Sequence, residues 1–222
     1  AEKKLELEYL NKYDMLMAIT KVDAAEMEKE LPHKDVCTMM IEASVPEHLI
    51  LNEDLYARRL KEATHDLIFI GADNEANQYA VEHLLNNVLP GLQKQKPDIS
   101  LAIAGRICNN PQVKAAAQNP AVELKNYVNS VEEFYRSGRV LAAPIPAGGG
   151  VKVKILEAMA HGLPVVTTPI GAEGIDCQNG VHCHITNNDG SCGIDSVLAK
   201  KWHQLRNCKK SNSIRSGDKE HY

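Results

Sequence analysis

Residues 66–106 read DLIFIGADNEANQYAVEHLLNNVLPGLQKQKPDISLAIAGR, and two hydrophobic periods within them decide the fold. Leu67–Ile70 is a short apolar run closed by Gly71, the pattern of a strand buried on both faces. Val81, Leu84, Leu85, Val88, Leu89 and Leu92 then recur at helical spacing and mark one face of a long helix. Ile99–Ala104 is the next apolar run, closed by Gly105. A strand, a helix and a second strand of this kind form a βαβ unit with parallel strands and a right-handed crossover.

The alternation continues downstream. A short helix is expected over Gln112–Gln118 and a strand over Val122–Leu124. Ser130 and Glu133 have the spacing of a capping box and open a helix to Ser137. Val140–Ala143 is a strand, Val151–Ala160 a helix and Pro164–Thr167 a strand. The fold class is therefore α/β, a Rossmann-like doubly wound parallel sheet with helices on both faces.

Upstream the pattern is less regular. Residues 2–13 read as a helix with Leu5, Tyr9 and Tyr13 at helical spacing. Met15–Ile19 reads as a strand, and Thr20 with Asp23 caps a helix that runs to Leu31 before Pro32. Val36–Ile41 is a further strand and Asp54–Ala63 a helix. Near the other end, Ser196–Leu205 reads as a last helix carrying Val197, Leu198, Trp202 and Leu205. The expected division is residues 1–44 as the remnant of a preceding domain or linker region, 45–205 as the Rossmann-like domain, and 206–222 as a polar tail.

Composition narrows the function classes. The chain has 222 residues, 44% of them hydrophobic and 24% charged, with a net charge of −4. That is enough apolar material for a substantial core. A mildly acidic chain is a poor general binder of nucleic acid. No run approaches the roughly 18 apolar residues of a membrane-spanning helix, and the opening AEKKLELEYL lacks a signal-peptide apolar region. With six cysteines read as reduced thiols, the expectation is a cytoplasmic protein without a transmembrane segment.

Chemistry concentrates in residues 148–171, GGGVKVKILEAMAHGLPVVTTPIG. In parallel α/β sheets ligands bind beyond the carboxyl ends of the strands, and loops leave those ends at Gly71, Gly105, Asn126 and Ile145. Gly148, Gly149 and Gly150 let an anion approach the backbone at the start of a helix, where N–H groups and the dipole favour it. Lys154, Glu157 and His161 share a helix face. Lys154 is suited to a diphosphate as a point charge, Glu157 to the diol of a ribose, and His161 to the helix C-terminus. Separately, glycine loops serve as plain connections and a Lys–Glu pair at this spacing as a solvated face, so the βα order carries the argument.

Two other chemistries fit less well. Cys177, His182, Cys183, His184 and Cys192 lie within sixteen residues, with His203 and Cys208 beyond. They contain no C-x2-C pair, and an adjacent His-Cys-His chelates a metal awkwardly. A dinucleotide oxidoreductase needs G-x-G-x-x-G after the first strand, where this chain has GADNEAN.

EAMAHGLPVVTTPIGAEG, preceded by GGGVKVKIL, resembles the donor-binding signature of glycosyltransferase family 4 (group 1), whose members are GT-B enzymes using nucleotide-activated sugars. Residues 67–106 look like the first βαβ unit of that family's C-terminal domain, and VELKNYVNSVEEFYRSGRVLAAPI is similar to its next two strands and helix. EYLNKYDMLMAITKVDAAEMEKELP is similar to the stretch before the interdomain linker. The resemblance covers residues 5–180.

It implies a glycosyltransferase of hexosyltransferase type, transferring a glycosyl group from a nucleotide diphosphate sugar with retention to a saccharide or lipid-linked acceptor. Glu157 matches the second glutamate of the family's pair, at the catalytic centre and against the donor's ribose. The first should stand eight positions earlier, where this chain has Gly149. Donor binding would fall to Gly71, the Gly148–Gly150 loop, Lys152 and Lys154 near the diphosphate, and Asn126, Tyr127 and Val128 beside the base. The family's Arg/Lys phosphate pair is not evident in GADNEANQ, and Arg106 follows a strand end without taking that role. No metal or other cofactor is implied. A GT-B enzyme is commonly near 350–400 residues, so the acceptor-binding N-terminal domain or subunit is expected to be missing. Alone the chain would be inactive, with the full enzyme peripheral at the membrane. A non-catalytic nucleotide-binding or assembly module remains the alternative.

Overall fold

The computed structural model describes residues 2–39 and 61–186. The expected Asp54–Ala63 helix lies largely outside these residues, and the Ser196–Leu205 helix, the tail and the boundary at residue 44 lie wholly outside.

An N-terminal unit consists of α1 (Glu2–Leu10), β1 (Met15–Ala18), α2 (Lys21–Glu30) and β2 (Asp35–Thr38). Its two strands pair in parallel, Met15 opposite Asp35 and Ala18 opposite Thr38. Helix α2 begins where the sequence expected: Thr20 Oγ1 accepts from the Asp23 amide at 2.9 Å. Leu16 and Ala18 are buried, whereas Met15 and Met17 are exposed.

The main body starts at β3 (His65–Ile70), followed by α3 (Glu75–His83), a π-helical turn (Leu84–Val88), α4 (Leu89–Gln93) and β4 (Leu101–Ala104). After a 3-10 turn (Arg106–Asn109) come α5 (Pro111–Ala116), β5 (Val122–Lys125), α6 (Val131–Ser137), β6 (Gly138–Ala143), α7 (Val153–Ala160), β7 (Val165–Thr167) and β8 (His184–Ile185). The six strands form one sheet in the order β5-β4-β3-β6-β7-β8. Every neighbouring pair is parallel.

Beyond shifts at element ends, two features depart from the sequence expectation. The helix over 81–92 is interrupted by the π turn, because Pro90 has no N–H to donate and its ring crowds the preceding turn. The apolar stripe survives: Val81, Leu84, Val88, Leu89 and Leu92 are all buried. The sixth strand, β8, was not expected, since its two residues sit in a turn-rich segment without periodicity. Backbone pairing with β7 makes it a strand.

The core lies between sheet and helices. Leu67, Ile68, Phe69, Leu101, Ile103 and Leu141 are fully buried, as strands covered on both faces require. Beyond β3 and β4 the backbone is tightly packed. Gly105 has φ +91°, and a Cβ there would lie 2.4 Å from the Gly71 carbonyl oxygen. Gly105→Ala should therefore destabilise the chain by about 1–3 kcal/mol through backbone strain, with the clash adding more. A urea titration checks this, with a lower midpoint and an unchanged m-value expected.

Candidate functional site

The chain lays down β3, β4 and β5 toward one edge of the sheet, then returns to place β6 on the other side of β3. Connections from β3 and β6 therefore leave in opposite directions and open a crevice at the carboxyl ends of those two strands. The loop after β3 begins at Gly71 and the loop after β6 runs through Ile145 to the glycine triplet.

Lys154 bridges that crevice. Its ammonium donates to Asn77 Oδ1 at 2.5 Å and lies 4.4 Å from the centroid of the Phe69 ring. Asn77 is itself buried on the first turn of α3 and fixed, with its amide donating to Asn74 Oδ1 and its Nδ2 to the Ala72 carbonyl. Among the described residues no carboxylate pairs with Lys154. Burial lowers the lysine pKa from 10.5 to about 8, and the Lys152 charge adds to the shift. The result is a partly desolvated cation with a polar and an aromatic neighbour and, among the described residues, no counter-charge.

Glu157 stands one turn further along α7. Its Oε2 accepts from the Tyr135 hydroxyl at 2.9 Å, and the same hydroxyl lies 3.2 Å from the Lys154 carbonyl. Tyr135 is fully buried on α6, and burial together with the Glu157 charge pushes its pKa up. The His161 ring packs on the Tyr135 ring with centroids 5.1 Å apart, at the C-cap of α7. One buried tyrosine thus contacts the three-residue face that helical spacing had brought together. Ile155 and Ala158 face the core instead.

The glycine loop is less simple than the sequence suggested. Helix α7 starts at Val153 rather than Val151, so the triplet stands off the first turn. Gly148 and Gly150 have φ values of +108° and +71°, which glycine adopts without strain. Lys152 is committed to this loop: its Nζ donates to the carbonyls of Gly148, Gly149 and Gly150 at 2.9, 3.2 and 2.7 Å. Position 149 carries no steric demand for glycine, because a Cβ there meets no atom within 4 Å. The N-terminal unit reaches the same loop, where Ile19 Cδ1 would lie 3.4 Å from a Cβ on Gly150. It also reaches the segment between β7 and β8, where a Cβ on Gly174 would meet Thr20 Cγ2 at 2.6 Å.

Asn126, Tyr127 and Val128 follow β5 along the same end of the sheet, one strand beyond β4. Tyr127 is 83% exposed and Val128 packs on the core. Arg106 is exposed in the 3-10 turn after β4. Periodicity did not flag Asn77, Phe69 or Tyr135 as site residues. The Asn74-x-x-Asn77 pattern at a helix start was the one local signal available.

A groove of about 410 Å³ lies at the opposite, amino ends of the strands, where Asp66 is held by Lys96 at 2.7 Å and by the Ser100 amide at 3.1 Å. Lys96 and Arg139 both pair with Asp66 there, so it is an ion-pair surface at the amino ends of the strands. Among the described residues no helix is long and apolar enough to cross a membrane.

These elements define a Rossmann-like domain of the GT-B type. Residues 64–195 match the family model described as glycosyl transferases group 1, and the chain belongs to that family. It is 33% identical over 112 residues to an uncharacterised 44.6 kDa protein in the cps region of Klebsiella pneumoniae, covering 47% of this chain and 29% of that protein. Similar solved structures include Anabaena HepE in complex with UDP-glucose, with a TM-score of 0.69, 13% identity, and 94% of this chain and 60% of that one covered. Another is the pneumococcal O-GlcNAc transferase GtfA in complex with UDP and GlcNAc, with a TM-score of 0.64, 12% identity, and 95% and 41% covered. TarM gives 0.66, 16%, 93% and 39%. The chain spans less than two thirds of each of these proteins.

Lys154 carries a stability cost that its titration exposes. Between pH 8 and 10.5 the unfolded chain holds the lysine proton more firmly than the folded chain, so this group's contribution to stability rises with pH across that window. Lys154→Met should be more stable than the parent below pH 8, by on the order of 1–3 kcal/mol. The gap should close toward pH 10.5, as read by denaturation midpoints of the two proteins.

Proposed function

We propose that this chain is the donor-binding half of a group 1 glycosyltransferase, holding a nucleoside diphosphate sugar in the crevice between the β3 and β6 loops. The observation that carries the reading is the Lys154 ammonium, drawn out of water between Asn77 and Phe69 without a carboxylate partner. Leaving a desolvated cation uncompensated is costly, and an anion such as a diphosphate would offset that cost. UDP is the first nucleotide to test, because HepE and GtfA structures are described in complex with it.

In this reading Glu157, oriented by Tyr135, accepts hydrogen bonds from the donor's ribose. Lys154 stabilises the charge that develops on the departing diphosphate. The Gly148–Gly150 loop, folded around Lys152, brings backbone amides to the same anion. Asn126, Tyr127 and Val128 flank the base. The sugar passes with retained configuration to a saccharide or lipid-linked acceptor. With Gly149 in place of the first glutamate, the loop offers backbone rather than a carboxylate to the sugar.

Residues 1–44 are the remnant of a preceding domain or linker region, and acceptor recognition belongs to that preceding domain. In support, the β1–β2 sheet exposes Met15 and Met17 on one face, and parallel strands are ordinarily covered on both faces. The residue after β1, Ile19, also abuts the glycine loop at Gly150. The 222-residue chain alone is expected to show no sugar transfer.

Calorimetry with UDP, GDP, ADP and NAD tests the reading. One nucleoside diphosphate should bind, and Lys154→Met should weaken it about tenfold or more, as loss of a charge-assisted contact does. Because an anion favours the protonated lysine, affinity should fall as pH rises through about 8. Glu157→Gln should weaken the nucleoside diphosphate and leave inorganic pyrophosphate unaffected. Binding of none of the four, or equal binding by the Lys154 variant, would refute the site.

A further inference from the structure

The Cys177 and Cys183 sulfurs lie 3.1 Å apart, with the Cys183 thiol directed at Cys177. They close a short loop that its own hydrogen bonds hold in shape. The Gln178 amide donates to His182 Nδ1 at 2.8 Å, the Gly180 amide to the Cys183 carbonyl at 2.8 Å, and the Ile185 amide to Asn179 Oδ1 at 2.9 Å. Gly180, with φ +78°, makes the turn. Cys183 is 1% exposed and packs into the core, whereas Cys177 is half-buried at its edge. A disulfide needs sulfurs about 2.05 Å apart, so a shift of about 1 Å would join them.

We propose that Cys177 and Cys183 form a reversible dithiol–disulfide pair that oxidises by exchange with a small disulfide of the glutathione class. The more accessible Cys177 thiolate attacks one sulfur of the oxidised tripeptide, forming a mixed disulfide and releasing one reduced thiol. Cys183, deprotonated, then attacks the Cys177 sulfur and expels the second. Two protein thiols are oxidised by two electrons, and one glutathione disulfide becomes two thiols that carry away the two protons. The contact with Cys183 lowers the Cys177 pKa, which favours its thiolate as the attacking species.

The bond would act on the segment running from β7 to β8. That segment touches Thr20 and Val151 at Gly174, and its Glu173 carboxylate acts on the Lys152 charge. Among the described residues β8 is the outermost strand and pairs with β7 through two register positions, so a covalent clasp just before it restrains that end of the sheet. Oxidation should raise the thermal midpoint of the chain, and dithiothreitol should reverse the rise.

The test equilibrates the purified 222-residue chain in reduced and oxidised glutathione mixtures, blocks remaining thiols with iodoacetamide, and digests with Asp-N. Cleavage before Asp176 and Asp189 gives a fragment, residues 176–188, holding both cysteines and separating them from Cys192. The expected product is that fragment unalkylated and lighter by two hydrogens, alkylated twice after dithiothreitol. In Cys183→Ser the mixed glutathione disulfide should accumulate on Cys177; in Cys177→Ser, Cys183 should stay unglutathionylated in the folded chain. If Cys183→Ser does not fold, the parent's fragment map decides alone. A glutathione adduct on Cys177 that never closes, a bridge to Cys192, or both thiols alkylated throughout would overturn the proposal.

Discussion

The Lys154 ammonium sits where the loops from β3 and β6 converge, and the arrangement of the crevice depends on holding it there. Burying a cation without a counter-charge is unfavourable, and burial lowers its pKa to about 8. Asn77 and Phe69 offset part of that cost, one with a hydrogen bond and one with its ring face. Both belong to the β3–α3 unit, whereas Lys154 belongs to α7. The contact thus ties the two sides of the switch point together.

A second layer keeps this arrangement rigid. Tyr135 contacts Glu157, the Lys154 carbonyl and the His161 ring from beneath α7. Thr167 and Thr168 donate to the Ala143 and Ile145 carbonyls, securing the exit of β6 from which the glycine loop departs. Lys152 gathers the three glycine carbonyls. Two lysines only two positions apart therefore have different duties. One is spent on the loop's own backbone, and the other is held against the β3 side of the crevice.

Most of the sheet was legible in the sequence because a parallel strand buried on both faces is written as a continuous apolar run. Leu67–Ile70, Ile99–Ala104 and Val140–Ala143 all read this way, and the Thr20 and Ser130 caps announced their helices. The π turn at Leu84–Val88 was not legible, since the apolar stripe runs through it unbroken and only the ladder around Pro90 changes. Strand β8 was not legible either, because two residues carry no period and owe their conformation to the β7 edge.

The sequence by itself determined the fold class, the βα order, and the shared face of Lys154, Glu157 and His161 on one helix. Those features follow from local periodicity and from residue types within one or two helical turns. The tertiary structure decided which neighbours give these residues their properties: Asn77 and Phe69 for Lys154, Tyr135 for Glu157, the glycine carbonyls for Lys152, and Cys183 for Cys177. Asn77, Phe69 and Tyr135 lie tens of positions away in the chain. Their approach depends on how parallel strands are ordered in the sheet, which local pattern does not encode. A side chain's charge state and reach depend on burial and on partners, and both exist only once the sheet has closed its core.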